Sequence, residues 1–182
     1  LYYNKDLFAK AGITEVPRTG DEFIAAAQKL TVDYNGRNAV QSGFNANAIV
    51  QYGFAFNINH HVGFQMSALI NQQGQVPFTS DMQKVPFDTD KAVKALTFIQ
   101  DLVHTYKVAS VGIKNPVDAF VAGNVAMFVD GPWQMPTLEK SSVNWGTAPY
   151  PTVFDRQSAW GNSHIFSFPV SKATSAQQEA IK

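Results

Sequence analysis

Ala119-Phe120-Val121-Ala122-Gly123-Asn124-Val125-Ala126-Met127-Phe128-Val129-Asp130-Gly131-Pro132-Trp133 is the stretch on which the reading of this chain turns. A short helix over 116–122 is expected to end at Gly123-Asn124, because glycine accepts the left-handed conformation that closes helices. Val125 to Val129 is then an unbroken apolar run. A half-exposed strand would alternate apolar with polar residues, so this one is expected to be covered on both faces, as in sheets flanked by helices. Asp130-Gly131-Pro132 breaks it, Trp133 follows the break, and a helix is expected over 134–140.

Working outward, helices alternate with short apolar strands. Asn4 to Ala11 reads as a helix closed by Gly12. Thr19 and Glu22 have the spacing of a capping box, and apolar residues at 23, 24, 27 and 30 share one face of the helix that follows. Asp33-Tyr34-Asn35-Gly36 is turn chemistry. The Asn-, Gln- and Ala-rich stretch over 38–53 has no firm period and is expected to be a surface loop. Tyr52 to Phe56 is expected as a strand, 63–73 as a helix stopped by Gly74, and 76–87, with Pro77 and Pro86, as a hairpin or irregular crossing. A helix over 90–106 buries positions 92, 93, 96, 99, 102, 103 and 106 if the period holds. Strands are expected at 145–150 and 165–168, and a further helix begins at Ser171. The pattern is that of an α/β domain.

Composition narrows the function. Fourteen basic and fourteen acidic residues cancel, and charged residues are 15% of the chain against about 25% in an average soluble protein. Without net charge or a basic run, no nucleic-acid footprint is expected. There is no Cys, which excludes disulfides and thiolate metal sites. No Gly-x-Ser-x-Gly elbow or phosphate-cradling glycine loop is present. Asp118 and Asp130 have no spacing that selects them as a glycosidase pair, and Ser163-His164 are adjacent in sequence only. Adjacent histidines His60 and His61 lack a third ligand for a metal. No catalytic residues, metal or cofactor are therefore expected. The chain opens at Leu1 without Met and stops at Lys182 inside a helix-like run, which reads as a piece of a longer polypeptide.

Four local patterns, in order, carry a resemblance. They are Leu1-Tyr2-Tyr3-Asn4-Lys5-Asp6-Leu7-Phe8, then Pro17-Arg18-Thr19-Gly20-Asp21-Glu22, then the stretch from Ala119 to Trp133, then Trp160-Gly161-Asn162-Ser163-His164. Together they resemble the extracellular solute-binding proteins of ABC importers, the family that includes maltose-binding protein. Gly20 departs from the family's usual Trp, which is expected to loosen that packing site and leave the cap intact. The resemblance implies a two-lobed, type II periplasmic-binding-protein-like fold with a hinge that closes on ligand. Residues 1–182 would form most of the C-terminal lobe, with the N-terminal lobe and the final helices outside the chain. It further implies an extracytoplasmic protein, with a small-molecule ligand and ABC membrane subunits as partners.

The ligand is expected to be a neutral sugar or oligosaccharide, since sugars are held by aromatic faces and a rim of amides, carboxylates and imidazoles. Trp133 is either a core residue capping its strand or a stacking platform, and the resemblance implies the platform. Gly131 and Asp130 precede it, and Asp130 either accepts from sugar hydroxyls or caps the following helix. Asn57, Asn59, His60 and His61 lie at another strand exit. Asn59 and His61 are the favoured contacts there, with Phe64 as a second aromatic, against a reading of surface histidines. Trp160, Asn162 and His164 fall at the expected crossing between lobes, where Trp160 is a stacking or a hinge-packing residue. A carbohydrate-active enzyme, a binder of a non-sugar solute and a free-standing interaction module remain as alternatives.

Overall fold

Side chains fix the first two helix starts, the second through the capping box that the sequence predicts. In the computed structural model, which describes residues 1–57, 61–76, 78–81, 83–84, 88–161, 175 and 179, strand β1 (Tyr2–Asn4) runs directly into helix α1 (Lys5–Lys10). The Asn4 side-chain oxygen accepts from the Asp6 and Leu7 amides, both at 3.0 Å. Helix α2 (Gly20–Leu30) begins with a complete capping box. Glu22 N–H donates to Thr19 Oγ1 at 3.2 Å, and the Glu22 carboxylate accepts from the Arg18 and Thr19 amides at 2.7 and 3.1 Å. Those amides hold the Glu22 carboxyl below its ordinary range. Such a cap contributes about 1 kcal/mol.

Gly20 does not leave a loose site. It is buried, its amide donates to the Thr152 carbonyl at 3.0 Å, and a Cβ there would lie 3.1 Å from Val153 Cα. The backbone at 152–153 occupies the space that a large side chain would take.

The sheet is centred on β1, which pairs antiparallel with β4 (Met127–Phe128) on one side and β5 (Trp145–Thr147) on the other. Beyond β4, residues 52–55 run parallel to 125–128: the Tyr52 amide donates to Asn124 O at 2.9 Å and the Ala55 amide to Met127 O at 3.0 Å. Phe54 bridges in turn to Ala109. Parallel neighbours separated by helices α4 (Thr89–His104) and α5 (Pro116–Val121) make the domain α/β, as the sequence predicts.

The apolar run 125–129 is buried throughout because both of its faces are covered. Met127 and Val129 join the core of Phe23, Phe54 and Leu102, while Val125 and Phe128 join Tyr2, Phe120 and Leu138. Phe128 is stacked on Tyr2 with ring centroids 4.8 Å apart and meets Phe120 edge-on at 5.0 Å. Helix α3 (Val62–Gln72) packs on α4 through Leu69, Ile70, Ala92 and Ala95.

Two further expectations change. The surface loop over 38–53 contains a strand, β3 (Ile49–Gln51), paired with β2 (Val32–Asp33). Its closure rests on the buried Asp33 carboxylate, which accepts from the Asn35, Arg37 and Asn45 amides at 2.8–2.9 Å, so no alternation marks it. In α4, Val93 and Leu96 stay 55% and 49% exposed, and burial follows Ala92, Ala95 and Leu102. That stripe is the narrower one that meets α3 and the main core. Of the crossing over 76–87, the described part includes a turn in which the Thr79 amide donates to Lys84 O. The strand expected at 165–168 lies outside the described residues, and of the helix from Ser171 only Ser175 and Glu179 are described, both helical.

Candidate functional site

Asp130 leaves the buried strand just where the backbone breaks, and its side chain is fully buried. An ionised carboxylate out of water must be surrounded by donors, and here every one comes from the site. Oδ1 accepts from the Gly131 amide at 2.8 Å and lies 3.1 Å from His61 Nδ1. Oδ2 accepts from Gln134 Nε2 at 3.0 Å and from Asn57 Nδ2 at 3.3 Å. Asp130 therefore ties the end of β4 to the start of α3. It does not cap the following helix: the 3-10 turn at Pro132–Gln134, which leads into α6 (Met135–Glu139), has no side-chain cap. The Tyr2 hydroxyl donates to the Gly131 carbonyl at 2.8 Å, so the central strand also holds the break. Burial, and then the negative charge of Asp130, push the Tyr2 phenol above its ordinary pKa.

Above this polar layer stands an aromatic one. The His61 imidazole is 5.5 Å from the Trp133 ring, 5.9 Å from Phe64 and 6.5 Å from Trp160. Phe64 and Trp160 are nearly parallel, 17° apart at 6.4 Å, and Tyr150 meets Trp160 edge-on. Trp133 is 46% and Phe64 42% exposed, so neither belongs to the core of this chain. Trp160 is half-buried and packs on the main core as well, so it joins the aromatic layer to the fold. The His61 side chain is only 16% exposed, which sets aside the surface reading for that histidine, while His60 lies outside the described residues.

Gly131 is required by Trp133. Its φ of −82° suits any residue, but a Cβ there would collide with the six-membered ring of the indole. Between Trp133 and Trp160 lies a cleft of about 350 Å³, walled by Val129, Asp130, Pro132 and Tyr150. Asp130 is the one carboxylate on that wall among the described residues. Larger hollows of 460 and 590 Å³ flank the loop around Pro17 and Arg18; the first shares the Tyr150 wall with the aromatic cleft, and neither is lined by Trp133, Trp160, Phe64 or His61.

Of the residues expected from sequence, Asp130, Gly131, Trp133, His61, Phe64 and Trp160 come together. Asn59, Asn162 and His164 lie outside the described residues. Gln134, Tyr2 and Tyr150 were not anticipated. Gln134 stands four residues after Asp130, a spacing that can fold back across a turn; nothing local marks Tyr2 or Tyr150.

Comparison with known proteins identifies the family and the fold. The chain is 22% identical over 161 residues to a maltotriose-binding protein of Pyrococcus abyssi, covering 88% of this chain and 31% of that protein. It is 25% identical to the maltodextrin-binding protein MdxE of Bacillus subtilis, covering 84% and 34%. The chain thus spans about a third of the length of these curated relatives. Among solved structures it superposes on Mycobacterium tuberculosis UspC with a TM-score of 0.71 at 25% identity, over 87% of this chain and 42% of that one. With the maltotriose-bound MalE domain of Bdellovibrio bacteriovorus the TM-score is 0.70 at 22% identity, over 98% and 44%, a likeness of fold. These neighbours have the type II periplasmic-binding-protein-like fold, and this chain is part of one. Residues 1–182 match the family described as bacterial extracellular solute-binding protein, and the chain belongs to that family.

Proposed function

We propose that this chain is most of the C-terminal lobe of the substrate-binding component of an ABC importer, with a neutral sugar or oligosaccharide as ligand. The observation that carries this reading is the exposed aromatic layer of Trp133 and Phe64, with Trp160 beside them, set over a polar network whose one carboxylate among the described residues, Asp130, is already satisfied. Aromatic faces match the C–H faces of a sugar ring, and the absence of an exposed charge on the described cleft wall favours a neutral ligand over an ion. The cleft is at the small end of ligand pockets, which run to roughly 300–1,000 Å³. That suits half of a site. The N-terminal lobe, supplied in cis, would close over the ligand, and the closed form would be the one that the importer's membrane subunits recognise.

In this reading Trp133, Phe64, Trp160 and His61 face the ligand, while Gly131 and Asp130 support them. Asn59, Asn162 and His164 join the contacts on the strength of the sequence. Membership of a family of transport receptors supports binding over catalysis, and an extracytoplasmic location follows from the same membership. The test is calorimetry of the full-length protein against neutral mono- and oligosaccharides, maltotriose among them. Saturable binding of a saccharide is expected. Absence of binding across the panel, with binding of a charged or non-sugar solute instead, would overturn the proposal.

A further inference from the structure

Tyr150 is the one residue, among those described, that lines both the cleft beside Trp133 and the 460 Å³ hollow around Pro17 and Arg18. The two spaces run close together elsewhere as well. The backbone nitrogen of Leu1, on the cleft, donates to the carbonyl of Ala148, on the hollow, at 2.9 Å. Gln157 on the hollow stands two residues before Ala159 on the cleft. A thin layer of residues divides them, and Tyr150 is the member with a face on each.

The ring has nowhere to retreat. Pro149 and Pro151 restrict the backbone on either side of it, and Gln72 Nε2 holds the Pro151 carbonyl at 2.8 Å. Tyr150 packs against the main core and against the α3–α4 cluster, and it meets Trp160 edge-on at 6.4 Å and 74°. The void among Phe54, Leu69, Phe98 and Tyr150 holds only about 10 Å³, the space of one water at most. The hollow beyond suits the same ligand chemistry as the cleft. Glu15, Arg18, Thr152 and Gln157 offer it hydrogen-bonding groups beside Val16 and Pro149, and its volume falls within the roughly 300–1,000 Å³ of ligand pockets.

We propose that Tyr150 is a specificity-determining residue, a fixed wall that ends the cleft and so limits the length of linear saccharide that gains contacts there. Sugar units beyond the wall turn out to solvent and add nothing to affinity. Replacing the ring by a smaller side chain joins the cleft to a second space lined by groups that bind hydroxyls. This rests on the sugar-binding reading of the cleft.

The test is calorimetry of the full-length protein and of Tyr150→Leu against the series from maltose to maltoheptaose, with a crystal structure of the unliganded variant. In the wild type, affinity is expected to stop rising before the longest member. In Tyr150→Leu the ratio of maltoheptaose to maltotriose affinity is expected to rise on the order of tenfold, and the cleft and the hollow to form one space. An unchanged ratio overturns the proposal, as does a variant in which the two spaces stay apart. Should Tyr150→Leu not fold, a crystal structure of the wild type with maltoheptaose decides. A saccharide that stops against Tyr150 supports the wall; one that passes into the hollow by Arg18, or lies away from Tyr150, overturns it. No binding of the series by the wild type overturns the proposal as well, and the wider saccharide panel then shows whether the sugar-binding reading falls with it.

Discussion

The Tyr2 hydroxyl and the Gly131 carbonyl, 129 residues apart in the chain, meet in a 2.8 Å hydrogen bond that fastens the middle strand to the break carrying Trp133. The Tyr2 ring is also stacked on Phe128, in the strand that ends at this break. Position in the cleft is thus inherited from the sheet.

Tyr2→Phe removes this bond and keeps the stacked ring. A loss of about 0.5–1.5 kcal/mol in unfolding free energy is expected, measured by urea titration. Ligand affinity should fall by a smaller factor than for any change to Trp133, since the break keeps its other ties.

Gly131→Ala adds a methyl group that the backbone accepts and the Trp133 ring does not. The indole must swing away, so ligand affinity should drop on the order of tenfold while stability changes by about 1 kcal/mol or less. Calorimetry together with tryptophan emission distinguishes this from unfolding.

Gln72 is fully buried at the end of α3 and holds the 151–158 segment through four backbone groups. Its Nε2 donates to Pro151 O and Ser158 O at 2.8 and 3.1 Å, and its Oε1 accepts from the Val153 and Phe154 amides at 2.7 and 3.2 Å. Gln72→Leu keeps the volume and orphans those groups. A destabilisation of roughly 2–5 kcal/mol is expected by urea unfolding, together with weaker ligand binding, because Tyr150 and Trp160 flank that segment.

Alkaline pH should destabilise the fold. Burial pushes the Tyr150 phenol well above its ordinary value of 10.0, and burial plus the Asp130 charge raises that of Tyr2. In the unfolded chain both phenols lose their protons near pH 10, while the folded state keeps them. Stability is therefore complete below pH 10 and is lost as pH rises beyond it. The urea midpoint should fall between about pH 9 and about pH 11, and Tyr150→Phe should flatten the fall; an equal fall in that variant would contradict the assignment.

Much of this was legible in the sequence because it is local. The capping box at Thr19 and Glu22 follows from residue type and spacing, and the run 125–129 declares its burial by lacking any polar residue. The cluster of Asp130, Gly131 and Trp133 could be marked because strand exits gather ligands in α/β sheets. What could not be read is what depends on tertiary approach. The β2–β3 pairing hangs on one carboxylate, Asp33, that bonds across a loop. Val93 and Leu96 obey the helical period but lie outside the narrower stripe that meets α3. The partnership of His61 with Asp130 has no signature in either segment. It emerges only when the sheet places the end of β4 beside the start of α3.

The most direct test of the central claim is calorimetry with neutral oligosaccharides on the full-length protein and two variants, Trp133→Ala and Tyr34→Ala. Tyr34 is the control, an aromatic 81% exposed on the β2–β3 loop. If the aromatic layer over Asp130 is the sugar platform, Trp133→Ala loses about 2–4 kcal/mol of binding free energy and Tyr34→Ala none. Equal affinities for the wild type and Trp133→Ala would contradict the account.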